Sequence, residues 1–104
     1  MKCLIFIEEI EIGEANLEVI DETMGAIGGI LVPFPAYQKF QHLVQDQCEL
    51  KGVSNITDFN YKISTGDKLD LYPIGGIGIT DMKGIDEIYI ECARLNLNKI
   101  KTFK

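Results

Sequence analysis

Apolar positions in this chain recur mostly at two-residue intervals, interrupted by one segment that repeats at three and four. Residues 2–12 are β-branched and aromatic-rich, the composition of a strand. Ile5 and Ile7 share one face, whereas Ile10 and Ile12 fall on the opposite one. The phase breaks at Glu8-Glu9. A bulge there restores a single buried face; alternatively the first half is central and covered on both sides. Gly13-Glu14-Ala15-Asn16 reads as a turn. Residues 17–23 fit two patterns. Leu17, Ile20 and Met24 lie at helical spacing with Gly25 as a stop, while Leu17 and Val19 alternate as in a strand. The strand is preferred, because a hairpin with residues 2–12 pairs two apolar surfaces.

Residues 25–32 form a glycine-weakened, kinked or bulged strand. Pro33-Phe34-Pro35 ends it, and Pro35 suits the first turn of a helix. Residues 35–51 carry the helical repeat: Tyr37, Phe40, Leu43, Val44, Cys48 and Leu50 form the apolar stripe, and Gly52 is a natural cap. Beyond it Phe59, Tyr61 and Ile63 alternate with polar residues, Ser64-Thr65-Gly66-Asp67 turns the chain, and Leu69 and Leu71 return. A glycine-broken segment at 74–81 precedes a last alternation through Ile88, Ile90 and Cys92. Residues 96–104 form a short final strand or a loose tail. Strands, one helix, then strands predict an α+β fold: a mainly antiparallel β-sheet with one long helix, about 35–51, packed on one face.

The 104 residues suffice for one domain, 1–104, and are too few for two. No apolar run approaches the ~20 residues of a membrane span, and the start lacks the layout of a signal peptide. A cytoplasmic protein that does not engage membranes is expected. Three widely spaced cysteines without a CxxC pattern argue for buried thiols and against a disulfide framework or structural zinc.

Charge changes the picture most. Seven of the sixteen acidic residues lie in the first 22 positions: Glu8, Glu9, Glu11, Glu14, Glu18, Asp21 and Glu22, offset there only by Lys2. The remaining nine acidic and nine basic residues cancel, so the formal net charge of −6 sits at one end. That end is also apolar, which argues for a folded acidic face and against a disordered tail. Solubility alone explains such a charge; attraction of a basic partner is the functional reading. Nucleic acid, which calls for a basic stripe, is not an expected partner. Four basic residues and no acids from Arg94 onward read as a solvated tail.

Candidate chemistry is sparse. Ile-Gly-Gly-Ile occurs at 27–30 and 74–77, yet neither copy completes a phosphate-binding loop or a dinucleotide fingerprint. Close backbone approach is the structural reading. His42 and Cys48 are six apart and not on one helical face. A metal-assisted hydrolase using Asp81, Asp86 and Glu87 is one alternative, although their spacing matches no motif. A small ligand-binding regulatory domain with a pocket lined by Ile27, Ile30, Ile74 and Ile77 is another. No catalytic residue, resident metal or cofactor is expected.

Two segments carry a resemblance. Met24-Gly25-Ala26-Ile27-Gly28-Gly29-Ile30-Leu31-Val32-Pro33 leads to Tyr37-Gln38-Lys39-Phe40-Gln41, and Gly75-Gly76-Ile77-Gly78-Ile79-Thr80-Asp81 leads to Glu87-Ile88-Tyr89-Ile90-Glu91. Together they resemble small bacterial immunity proteins of polymorphic toxin systems of the contact-dependent growth inhibition type. The resemblance implies a non-enzymatic protein that binds and neutralises the toxic C-terminal domain of a large surface adhesin, often a nuclease with a basic cleft. Its motifs are structural, so it assigns no functional residue. Composition and pattern place the partner-facing acids at Glu8, Glu9, Glu11, Glu14, Glu18, Asp21 and Glu22, with Asp67 and Asp70 second. Tyr37, Tyr72 and Tyr89 are candidate aromatic anchors, a place in the core being the commoner reading of each.

Overall fold

A tight hairpin opens the chain. In the computed structural model, which describes residues 1–55, 58–66, 70–71 and 76–93, β1 (Lys2–Ile7) pairs antiparallel with β2 (Ile10–Asn16). Ile7 lies opposite Ile10, so Glu8 and Glu9 form a two-residue loop, with φ of 49° and 72°. Left-handed backbone at both positions gives the twist that a two-residue hairpin needs. This corrects the bulge expected at Glu8-Glu9: the phase breaks because the chain reverses. The bulge lies further along, where Ile5 faces Gly13 and Phe6 faces Glu11, leaving Ile12 as the extra residue.

Residues 13–16 are also not a turn. They sit inside β2, paired on one side with β1 and on the other with β4 (Ala26–Pro33). The chain continues into β3 (Glu18–Asp21), so the strand alternative holds for residues 18–21, while 22 and 23 belong to the following turn. Its hairpin partner is β4 and not residues 2–12 as expected, because β2 already occupies that side of β1. Gly13 faces Pro33, Ala15 faces Leu31, Glu18 faces Gly28 and Val19 faces Ile27. One register therefore runs through β2 and β3, and the two strands act as one long partner for β4.

That closeness depends on glycine. A Cβ built on Gly29 would collide with the carbonyl oxygen of Asn16. The first Ile-Gly-Gly-Ile thus marks the close backbone approach that the sequence implied. In the second, Ile74 and Gly75 lie outside the described residues.

After a 3-10 turn (Pro35–Tyr37) comes α1 (Gln38–Lys51). Gly52, at φ 85°, caps it and donates its N–H to the Cys48 carbonyl at 2.8 Å. Val44 and Cys48 are buried, but Leu43 and Leu50 are 50% and 79% exposed. The helix lies over one end of the sheet and buries a narrower stripe than the sequence suggested.

The remaining strands are β5 (Ser54–Asn55), β6 (Tyr61–Thr65), β7 (Asp70–Leu71), β8 (Ile77–Thr80) and β9 (Tyr89–Cys92). Their order is β5-β8-β9-β4-β2-β1-β6-β7, with β3 also beside β4, and every pairing is antiparallel. The fold is α+β, a curled antiparallel sheet with a single helix packed against it. Its inner face holds Cys3, Ile5, Ile7, Ile12, Ala15, Leu17, Ile27, Leu31, Ile63, Ile79 and Ile90 around Tyr37, Val44 and Cys48. Ile88, Ile90 and Cys92 are buried while Glu87 and Glu91 are exposed, as their alternation predicts. Asp67, Tyr72 and the basic segment from Arg94 onward fall outside the described residues. Among the described residues no helix is long and apolar enough to cross a membrane.

Candidate partner-docking surface

The seven N-terminal acids follow the long β2–β3 strand from one hairpin tip to the other. Glu8 and Glu9 occupy the first tip and Glu22 the second, in the turn between β3 and β4. Glu11, Glu14, Glu18 and Asp21 lie between. At 3.2–3.4 Å per residue, residues 10–21 span about 35–37 Å, comparable with the molecule's longest extent of 36 Å. All but Glu14 are exposed. Glu14 meets Lys2 at 3.4 Å. The Asp21 carboxylate accepts the Met24 N–H at 3.2 Å and so helps shape the second turn. Glu8, Glu9, Glu11, Glu18 and Glu22 form no ion pair among the described residues. Asp70, the second-choice acid, is half-buried and lies 3.6 Å from Lys62.

Side chains missed by sequence reasoning share this region. Ile30 and Val32 alternate with the inward Ile27 and Leu31, so they point away from the core and are 45% and 56% exposed. Ile20 on β3 is 52% exposed. Tyr89 faces Ile30, and Glu91 faces Gly28. Tyr89 therefore stands on the outer face, where burial and then the charge of Glu91 push its hydroxyl above the ordinary value. The signal in the sequence was the alternation of Ile27, Ile30, Leu31 and Val32, obscured because the intervening glycines carry no side chain.

Against models of known families, curated proteins and solved structures, the chain finds no match.

The alternative sites are not assembled. Asp81 is 1% exposed and accepts hydrogen bonds from Tyr37 Oη at 2.7 Å, Gln41 Nε2 at 3.2 Å and Gln45 Nε2 at 3.1 Å. Its backbone N–H points at Cys48 Sγ, 3.4 Å away. Asp86 and Glu87 are exposed, and no cluster of three potential metal ligands occurs among the described residues. Asp81 instead ties α1 to the end of β8, and three donors satisfy a group that would be costly to bury alone. Tyr37 is thereby a core residue and not a surface anchor; burial first, and then the bond to Asp81, push its hydroxyl far up. Ile27 and Ile77 fill the core while Ile30 faces outward, so these three line no common pocket. A groove of about 250 Å³ lies elsewhere, along Pro33, Phe34, Pro35, Tyr37, Gln38 and Gln41. His42 is on the exposed side of α1, 3.5 Å from Asp46, and Cys48 is on the buried side.

Proposed function

We propose that this chain is an immunity protein of the contact-dependent growth inhibition type. It acts in the cytoplasm and neutralises a cognate toxin domain by stoichiometric binding. The observation that carries the reading is the row of carboxylates along the β2–β3 strand, of which Glu8, Glu9, Glu11, Glu18 and Glu22 are exposed and form no ion pair among the described residues. A rigid sheet holds them in place, so little ordering entropy is lost when a partner docks. A nuclease toxin binds a polyanion through arginines and lysines, and a fixed row of carboxylates competes for the same groups. Exposed rim acids of this kind speed encounter and set specificity more than they hold the complex together.

The test is reversal of Glu8, Glu9 and Glu11 to lysine, followed by titration against the toxin domain encoded immediately upstream. All three side chains are exposed and the turn conformation is no harder for lysine than for glutamate, so the fold is expected to persist, as circular dichroism would check. Slower association and a weaker dependence of affinity on salt are expected. Unchanged affinity together with unchanged salt dependence would defeat the acidic-row proposal.

A further inference from the structure

We infer that the outer sheet face, from Ile20 across Gly28 to Tyr89, Ile30 and Val32, is the surface that grips the partner, and that the occupant is a basic protein surface presenting an apolar side chain among lysines or arginines. This rests on the immunity-protein reading and narrows it from an acidic strand to one face with a defined centre.

Among the described residues nothing covers this face. α1 lies on the inner side, where Cys48 Sγ contacts the Ile79 carbonyl and Tyr37 contacts Asp81. Ile27, Leu31 and Ile90 point toward that side and are buried, so Ile30, Val32 and Tyr89 point away. Gly28 makes the outer strip continuous. A Cβ there would lie 2.5 Å from both Ile20 Cδ1 and Tyr89 Oη. Without a side chain at 28, the Ile20 and Tyr89 side chains meet over the backbone of β4. Strands β3, β4 and β9 then offer one apolar strip, with Glu14 of β2 standing between Val32 and the half-buried Leu4 of β1.

Charge decides the occupant. Lys2 and Lys62, the lysines of this face among the described residues, are already engaged by Glu14 and Asp70. Glu18 and Glu91 both stand in register with Gly28, one on each side of it. Neither forms an ion pair among the described residues, and nor does Glu11. A neutral apolar partner seated on the strip would strip water from these carboxylates and return nothing. A second copy docked face to face would bring like charges together. A partner with cations flanking an apolar side chain satisfies both parts.

The apolar strip should govern dissociation and the flanking acids association. The experiment uses the full chain and the upstream-encoded toxin domain, with rates measured by surface plasmon resonance. The variants are Ile30→Asp, the pair Ile30→Thr with Val32→Thr, which keeps both positions β-branched, and the pair Glu18→Lys with Glu91→Lys, each checked for an unchanged circular dichroism spectrum. Ile30→Asp adds negative charge, so electrostatics alone would tighten binding. Loss of about tenfold or more in affinity through faster dissociation, in this variant and in the threonine pair, is expected. The lysine pair should slow association. If the unaltered chain binds and the Ile30 and Val32 variants bind equally well, the face assignment falls while the immunity reading stands. If the unaltered chain does not bind, both fall. A dimer in sedimentation that the threonine pair converts to monomer would give the face to a second copy and overturn the assignment.

Discussion

At the scale of single residues, Glu8 and Glu9 are the non-glycine residues with positive φ among the described residues. Both adopt positive φ, at 49° and 72°, where side chains other than those of glycine, asparagine and aspartate are disfavoured. Such positions cost on the order of 1 kcal/mol or more each. The double substitution Glu8→Asn, Glu9→Gly is therefore expected to stabilise the protein by about 1 kcal/mol. A urea titration reads this as a higher midpoint with an unchanged slope; a lower midpoint would contradict the turn geometry. Two carboxylates at a strained tip fit the proposed role in meeting a partner, and the same variant should associate more slowly with the proposed toxin partner. Asp81 has the opposite character. It is enclosed, shared by Tyr37, Gln41 and Gln45, and holds a helix to a strand end.

At the scale of elements, the seam between β2–β3 and β4 is the tightest feature. Gly29 packs against the Asn16 carbonyl, and neither strand can yield because each is paired on its other side over part of its length. Gly29→Ala is expected to cost about 1–3 kcal/mol, the range of an overpacked site that must shift backbone. Gly66 supplies the contrast: among the described residues the nearest neighbour to an added Cβ is the Lys2 carbonyl oxygen at 4.0 Å. Gly66→Ala should leave the melting temperature nearly unchanged. Equal effects at the two positions would mean that the seam is looser than the register indicates. The helix is held by a few points, namely Val44, Cys48 and the Asp81 bonds, and its Leu43 and Leu50 remain at the surface.

At the scale of the whole molecule, the buried acidic hydrogens set the response to pH. Burial raises the Cys3 thiol to about 11, the charged N-terminus opposing, and raises Cys92 to about 12, with the charges of Cys3 and Glu91 adding. Burial is also the largest cause pushing Tyr37 and Tyr61 upward. For each group the folded value exceeds the unfolded one. The stability they confer is complete below the ordinary thiol value of 9.0 and is lost as pH climbs toward 11 and 12. Asp58 acts at the other end. Burial opposes its ionisation, but Lys51 at 2.7 Å and the Asn55 N–H at 2.9 Å outweigh it and hold the carboxyl below 3.8. Its contribution is present above 3.8 and is lost as pH falls through the lower folded value. Thermal melting followed from pH 3 to 11 should show a plateau falling at both ends, and a thiol reagent at pH 8 should titrate the three cysteines only after unfolding. Prompt reaction of the native protein would contradict the burial of all three.

Local pattern by itself determined the α+β class, the helix with its Gly52 cap, the last alternation through Ile88, Ile90 and Cys92, and the concentration of charge at one end. Each of these depends on neighbours a few residues apart, where backbone period and side-chain type carry the information. The phase break at Glu8-Glu9 was equally visible, but a bulge and a reversal leave the same trace, and only pairing of Ile7 with Ile10 distinguishes them. Residues 13–16 looked like a turn because glycine and asparagine favour turns in isolation; two flanking strands override that preference. Tyr37, Gln41 and Gln45 lie at four-residue steps, yet nothing local pointed to Asp81, 36 to 44 residues away. The outer face was the least legible. Ile20, Gly28, Tyr89 and Glu91 become neighbours only through the β3-β4-β9 register. That register follows from which inward side chains fill the core together, and no single segment encodes it.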